Sequence, residues 1–578
     1  MAPDGGIRCN LYGGSAQGIN RPFGLHARLA LIAAAAILSP AAADPGKPPL
    51  TQQTATSGGP LDPEQEKLVF DTAHLAFEIF PDREAIAGIA TLNFTAKVPI
   101  VRLVVDLDRN LPVSAVAIDG RDLAPAAWRN PDGRLTIDLP RPVAAGGKLS
   151  ARIRYGGRPH VAVRAPWDGG FVWAKTPSGK PWVATAVQGY GCDLFWPCID
   201  YPTFEPKRVG LAITVPAGLS APSNGVLEGI DRHADGRSTW RWRVANPTNY
   251  AIALNIGPYA ELKASHISRF GNVVPMHFWH LEGNAGKARG LFAEFAPTLD
   301  FFETVVGPYP FAAEKMGVVE TPHLGMEHQT INAYGNAYKK APEGFDWLLH
   351  HEFAHEWFAN QMTAANWDDF WLHEGYAQYM QPLYGRAREG EDRYRAMMLE
   401  GRKRIAATHP IVSGTPRSAG AVSDGETGPG ADIYFKGAWM LHTLRGLIGD
   451  DAFYEATRRI VYGRPDPQPG NFTSRFATTA EYRRIVDTVA GRDLGWFFDV
   501  YLDSAALPEL VETRVGDRLT LRWRTPGERP FPLPVEVAID GRRQMVAMAD
   551  GAATLRVPAG AKVAIDPDMR VLRKLPPA

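Results

Sequence analysis

His351 and His355 are separated by Glu352-Phe353-Ala354 and followed, after eighteen intervening residues, by Glu374. On a helix, side chains four positions apart lie about 40° apart around the axis, so His351 and His355 project from one face and can close on one ion. Two imidazole nitrogens and a carboxylate oxygen suit Zn²⁺, and three protein ligands leave a fourth position open for water, which marks a catalytic site. Glu352 sits beside the ligands without being one. It is placed as a general base that takes a proton from water attacking a polarised carbonyl. The chemistry expected is hydrolysis with one Zn²⁺ per chain, held by His351, His355 and Glu374.

Elements of two kinds must position these residues. The stretch Gly344-Phe345-Asp346-Trp347 reads as a helix start, with Asp346 as its cap and Leu348, Leu349, Phe353 and Phe358 packing around it. The third ligand lies in Trp371-Leu372-His373-Glu374-Gly375-Tyr376-Ala377, which reads as another helix. Helical patterns run from about residue 285 to 496, and the Gly/Ser/Pro-rich stretch 412–431 reads as a surface loop. Upstream, segments such as 73–79, 88–94 and 101–105 alternate or are β-branched and are separated by turn residues, so the region looks all-β. After Leu507 β-type segments return, enough for a small β-sandwich. The fold class expected is multidomain α+β, with domains at 67–262, 263–506 and 507–578. Residues 44–66, rich in Pro, Gly, Ser and Thr without apolar periodicity, read as a flexible leader.

A chain of 578 residues exceeds what one core usually supports. It carries 62 basic and 62 acidic residues with no long run of either sign, which argues against nucleic acid or an anionic surface as the partner. Arg21 and Arg28 precede the apolar run 29–38, and Ala41-Ala42-Ala43 follows before Asp44. This reads as a cleaved signal peptide over 1–43, too short for an anchor, and sets the expectation of a periplasmic or secreted protein with no membrane span in the mature chain. Cys9 would leave with the signal. Cys192 and Cys198 would then remain, either bridged or as two buried thiols. Nothing in the sequence bears on oligomeric state.

Beyond the metal motif, Gly325-Met326-Glu327-His328 resembles the Gly-x-Met-Glu-Asn element of the zinc aminopeptidase family that includes aminopeptidase N and leukotriene hydrolase. Tyr434-Phe435-Lys436-Gly437-Ala438 resembles its Tyr-x-Lys-Gly-Ala element. Phe195-Trp196-Pro197-Cys198-Ile199-Asp200 is similar to the family's Trp-Phe-Pro-Cys-x-Asp segment, and Trp367-Asp368-Asp369-Phe370-Trp371-Leu372 to its lead into the third ligand. The resemblance covers about residues 67–575. It implies an all-β, saddle-like N-terminal domain, a thermolysin-like, mainly helical catalytic domain and a small C-terminal β-sandwich. The resemblance is to a short form of the family without the helical C-terminal domain, so a more open cleft is expected and epoxide opening is not.

The same resemblance implies that Glu327 binds the free α-amino group of a peptide, with Gly325 and Met326 beside it, that Gln188 helps to shape this pocket, and that Tyr434 stabilises the oxyanion. The activity implied is removal of the N-terminal residue from peptides with a free N-terminus. A zinc endopeptidase uses the same helix motif but has no use for an ammonium anchor. A catalytically silent peptide-binding protein has no evident reason to keep Glu352, Tyr434 and all three ligands. Departures from the family pattern are His328 and His373 in place of asparagines and Ala359 in place of a glycine. His328 is expected to add a titratable group beside the amine pocket. Asp369 reads either as a partner behind the metal ligands or as a helix cap.

Overall fold

The computed structural model describes residues 49–575 apart from Lys340 and Glu343; the signal peptide expected over 1–43 lies outside the described residues. The first strand, Leu68–Phe80, pairs antiparallel with Ala85–Ala96 and parallel with Arg208–Val215 within an eight-stranded sheet. Its buried side chains are Leu68 and Phe70, then Ala73, Leu75, Phe77 and Ile79. The change of parity coincides with a register shift between Phe70 and Thr72, the means by which a strand moves its apolar set to the other face. Beside this sheet, the wholly buried segment from Cys192 to Asp200 is closed by a Cys192–Cys198 disulfide.

Residues 49–66, expected to be a flexible leader, are packed. Thr54, Ser57 and Gln65 are buried, Ser57 Oγ donates to Asp200 Oδ1 at 3.2 Å, and Gln65 Nε2 donates to Asp106 Oδ2 at 2.8 Å. At Gly58, with φ +68°, a Cβ would run into the Trp367 indole. The 412–431 stretch is also pinned: Asp368 accepts from the backbone N–H of Ser413 (3.0 Å) and Gly414 (2.9 Å) and pairs with Arg417.

A five-stranded sheet follows in the order Tyr259–Ile267, Val273–Leu281, Met316–Glu320, Asn332–Tyr334, Gly325–Met326. The boundary expected after residue 262 therefore falls inside the sheet's first strand. Gly325–Met326 is the edge strand, so Glu327 leaves directly from the sheet edge. Next to it stands the motif helix, Trp347–His355, started by Asp346 as expected. Asp346 Oδ1 accepts from Leu348 N at 3.0 Å and Leu349 N at 3.1 Å, while Oδ2 accepts from Tyr334 Oη at 2.6 Å and Asn336 Nδ2 at 3.2 Å. Asp346→Ala removes a cap worth about 1 kcal/mol and leaves the Tyr334 hydroxyl without its acceptor at about 1–3 kcal/mol, while Asn336 Nδ2 keeps the Lys339 carbonyl. A drop in denaturation midpoint equivalent to about 3 kcal/mol is expected; a change within about 0.5 kcal/mol would contradict this account of the helix start.

The third-ligand helix, Trp371–Glu389, packs on both the motif helix and the helix Phe435–Ile448 that follows Tyr434. The C-terminal region forms two three-stranded sheets whose inward residues include Leu519, Leu521, Trp523, Val535 and Val537. It is tied to the helical domain where Leu572 N donates to Thr443 Oγ1 at 3.0 Å. Among the described residues no helix is long and apolar enough to cross a membrane.

Candidate active site

His351 Nε2 and His355 Nε2 lie 3.2 Å apart, and Glu374 Oε2 is 3.4 Å from each. Zinc ligands at bond lengths of about 2.0–2.1 Å stand about 3.3–3.4 Å apart at tetrahedral angles, so these atoms define one face of a zinc tetrahedron. Glu374 Oε2 makes no hydrogen bond within the chain. The tautomer of His355 agrees with a ligand role. Its Nδ1 lies 3.0 Å from the Phe358 carbonyl, which fixes the proton there and leaves a lone pair on Nε2. The backbone makes that contact possible by leaving helical geometry at Phe358 (φ −107°, ψ 59°), which turns the carbonyl back toward the imidazole. Gln381 lies seven positions after Glu374 on one helix face, and its side-chain amide is 3.4 Å from His351 Nδ1.

The electrostatics favour a cation at this face. Burial works against a charge on His355, yet Glu374, Glu327 and Glu352 together push its pKa up to about 10. Burial, with the Glu327 and Glu374 carboxylates beside it and His355 opposing, pushes the Glu352 carboxyl well above the usual carboxylate range. Positive charge is what this cluster lacks, and the donor set of two imidazoles and one carboxylate fits Zn²⁺.

Glu327, Glu352 and His355 each bring one atom within 4.8 Å of the other two. Glu327 is buried, and its Oε1 accepts from the Gln188 side-chain amide and from Tyr250 Oη at 3.1 Å. The Glu327 carbonyl accepts from Asn360 Nδ2 at 3.1 Å, which ties the sheet edge to the segment after the motif helix. Burial first, then the Glu374 carboxylate, raise the Glu327 pKa to about 6 against the pull of His355. Gly325 leaves the space in which Glu352 sits: a Cβ there would overlap Glu352 Oε1 and lie 2.6 Å from Leu348 Cδ1. Gly325→Ala is expected to lower turnover by about 10²-fold, the cost of displacing a catalytic group by about 1 Å, with zinc content unchanged. Turnover within threefold of wild type would show that Glu352 tolerates the shift.

Tyr434 Oη donates to Glu374 Oε1 at 2.8 Å, so the phenol stands next to the metal-binding carboxylate. A glycine crossing sets this approach. A Cβ on Gly375, the residue after the third ligand, would be 3.1 Å from the Ile433 carbonyl and 3.3 Å from Gly437 Cα, and one on Gly437 would be 3.2 Å from Gly375 Cα. The structure thus brings together His351, Glu352, His355, Glu374, Tyr434, Glu327, Gly325 and Gln188. Met326 is buried in the same edge strand.

The departures from the family pattern are structural. His328, expected to titrate beside the amine pocket, is fully buried, and burial with the nearby His323 pushes its pKa down to about 3, so it stays neutral through the working range. His373 Nε2 accepts from Ala364 N at 2.7 Å. Asp369 neither caps the third-ligand helix nor touches a ligand; it accepts from Thr479 N at 2.8 Å and Asn366 Nδ2 at 2.9 Å. Ala359 has φ 172°, extended backbone that any residue adopts. Sequence reasoning missed Tyr250, Asn360 and Gln381. Only Gln381 carried a signal, its seven-residue spacing from Glu374.

Residues 313–489 match the Peptidase family M1 domain. Human aminopeptidase B is 27% identical over 419 residues, which span 69% of this chain and 57% of that protein. Leukotriene A-4 hydrolase of Xenopus laevis is 23% identical over 402 residues, 66% of this chain and 63% of that protein. The chain thus spans less than two thirds of the length of these curated relatives. A crystal structure of an M1 zinc metallopeptidase variant from Deinococcus radiodurans, bound to a Tyr-Ser-Ala substrate, matches with a TM-score of 0.63 at 25% identity over 78% of this chain and 97% of that one. With the two histidines, the distant glutamate and the carboxylate-bearing sheet edge assembled around one metal-binding face, residues 313–489 match the M1 peptidase domain and the chain is similar in fold and sequence to M1 zinc metallopeptidases.

Proposed function

We propose that the protein is a zinc aminopeptidase that hydrolyses the N-terminal residue from peptides with a free N-terminus. The observation that carries this reading is Glu327, a buried carboxylate with an atom within 4.8 Å of one on Glu352 and one on His355. In an aminoacyl residue the amino nitrogen and carbonyl carbon are about 2.5 Å apart. An anchor this close to the general base therefore leaves room for one residue between the bound ammonium and the scissile bond, which disfavours an endopeptidase. The Tyr-Ser-Ala bound to the Deinococcus relative supports a short peptide substrate.

Zinc, when bound, supplies a Lewis acid that polarises the carbonyl and acidifies water. The chain's own residues do the rest. Glu327 accepts the substrate ammonium by charge-assisted hydrogen bonds, while Gln188 and Tyr250 hold that carboxylate in place. Glu352 Oε2, which has no hydrogen-bond partner, takes a proton from the attacking water and returns it to the leaving amine nitrogen. Tyr434 Oη turns from Glu374 and donates to the oxygen on which charge develops.

The test compares aminoacyl chromogenic amides and the same compounds N-acetylated, with and without a chelator. Chelator-sensitive cleavage of the free-amine compounds alone is expected. Equal cleavage of the blocked compounds would replace this reading with an endopeptidase, and zinc-loaded protein inert on every free-amine compound would replace it with a binding protein. We also infer export to the periplasm or medium, a reading supported by the Cys192–Cys198 bridge, since disulfides persist in oxidising compartments. Fractionation with sequencing of the mature N-terminus checks it; full-length protein in the cytoplasm would exclude it.

A further inference from the structure

A second set of ligand-type side chains lies outside the active site. His266, near the end of strand Tyr259–Ile267, and Asp300 and Glu303, three residues apart on helix Phe295–Val305, each bring one ligand atom within 4.8 Å of the other two. His266 is 9% exposed. Its Nε2 stands 3.2 Å from Asp300 Oδ1 yet has no hydrogen-bond partner, so the pair is close but off the axis of a hydrogen bond. The active-site triad carries the same signature: Glu374 Oε2 has no hydrogen bond and lies 3.4 Å from two imidazole nitrogens.

Glu303 is held as a metal ligand is held. It is 2% exposed and accepts from Ser268 Oγ at 2.8 Å, Arg269 N at 3.1 Å and Tyr309 N at 3.2 Å. Ser268 Oγ also lies 2.9 Å from Oε2, so each Glu303 oxygen has two protein contacts, and such outer contacts orient ligands. The Arg269 guanidinium meets Thr304 Oγ1 instead of either carboxylate. Among the described residues no lysine or arginine forms an ion pair with Asp300 or Glu303. Two carboxylates one helical turn apart therefore converge on a single imidazole. Asp300 is 59% exposed, which gives solvent and ions access from that side.

We propose that His266, Asp300 and Glu303 form a second divalent-cation site, separate from the catalytic one. One imidazole and two carboxylates, with water completing the shell through Asp300, suit Mn²⁺ or Zn²⁺, whereas Ca²⁺ takes oxygen ligands. The ion would tie the turn after strand Tyr259–Ile267 to the helix through residues that make no contact with substrate.

Titration of the zinc-loaded full chain with Mn²⁺, followed by the electron spin resonance of free Mn²⁺, tests this. One Mn²⁺ is expected to bind per chain while zinc content stays at one, with the melting temperature rising as Mn²⁺ is added. Asp300→Asn, at an exposed position that folding tolerates, is expected to weaken Mn²⁺ binding by about tenfold or more and to leave peptide hydrolysis unchanged. His266→Gln should abolish binding. In His351→Ala, which loses catalytic zinc, the Mn²⁺ site should persist. Uptake of Mn²⁺ only in exchange for zinc, equal binding by Asp300→Asn, or no uptake at all would overturn the proposal.

Discussion

Replacing Glu352 by glutamine is expected to lower peptide hydrolysis by about 10³- to 10⁴-fold, the upper part of the range for removing a general base, while zinc content and melting temperature stay near wild type. Glutamine matches glutamate in shape, so Leu348 and the space left by Gly325 still hold the side chain. What disappears is a basic oxygen, Glu352 Oε2, that makes no hydrogen bond within the chain. Burial and two neighbouring carboxylates penalise the charge on Glu352, and a neutral amide relieves that penalty, so stability should hold or rise. Measuring bound zinc, melting temperature and kcat on one preparation separates the outcomes. Activity within tenfold of wild type with zinc bound would remove Glu352 from the proton-transfer role. Lost zinc would show that it supports the metal instead.

The parts of the site that were legible in the sequence are those fixed by one element's geometry. Helical periodicity alone puts His351 and His355 on one face, and Asp346 announces itself as a cap by standing just ahead of an apolar periodic run. The placement of Glu374, 3.4 Å from both histidines, needs a second helix at a set distance, and the Gly375–Gly437 crossing that brings Tyr434 beside it is a tertiary fact. Tyr250 could not have been found by spacing: it lies 77 residues before Glu327 in a short helical turn and reaches it only through tertiary packing. Burial was the other blind spot. His328 has the composition of a pH-sensitive group, and only complete enclosure reveals that it stays neutral. In the same way, a Pro/Gly/Ser/Thr-rich stretch offers no apolar period to read, yet residues 49–66 dock through hydrogen bonds such as Ser57 to Asp200 and Gln65 to Asp106, which no hydropathy pattern encodes.

Glu327→Gln is expected to lower kcat/KM for free-amine substrates by about 10²- to 10³-fold, in line with the roughly 2–5 kcal/mol lost when one partner of a buried charge pair is removed. The amide keeps an oxygen for the Gln188 and Tyr250 donors, so the pocket should stay intact and the loss report the missing charge. Tyr250→Phe removes one hydrogen bond to that carboxylate, about 1.5–3 kcal/mol, and should lower kcat/KM by about tenfold to a hundredfold. If Glu327 sets the register, both variants should also lose affinity for simple amine inhibitors, in the same order, while the very low rate on N-acetylated compounds stays where it was. A base or a metal ligand would behave differently: its loss would slow every substrate alike and leave amine affinity untouched. A Glu327→Gln variant that cleaves free-amine peptides within fivefold of wild type would mean that the ammonium is held elsewhere, and the case for an exopeptidase would lose the residue on which it rests.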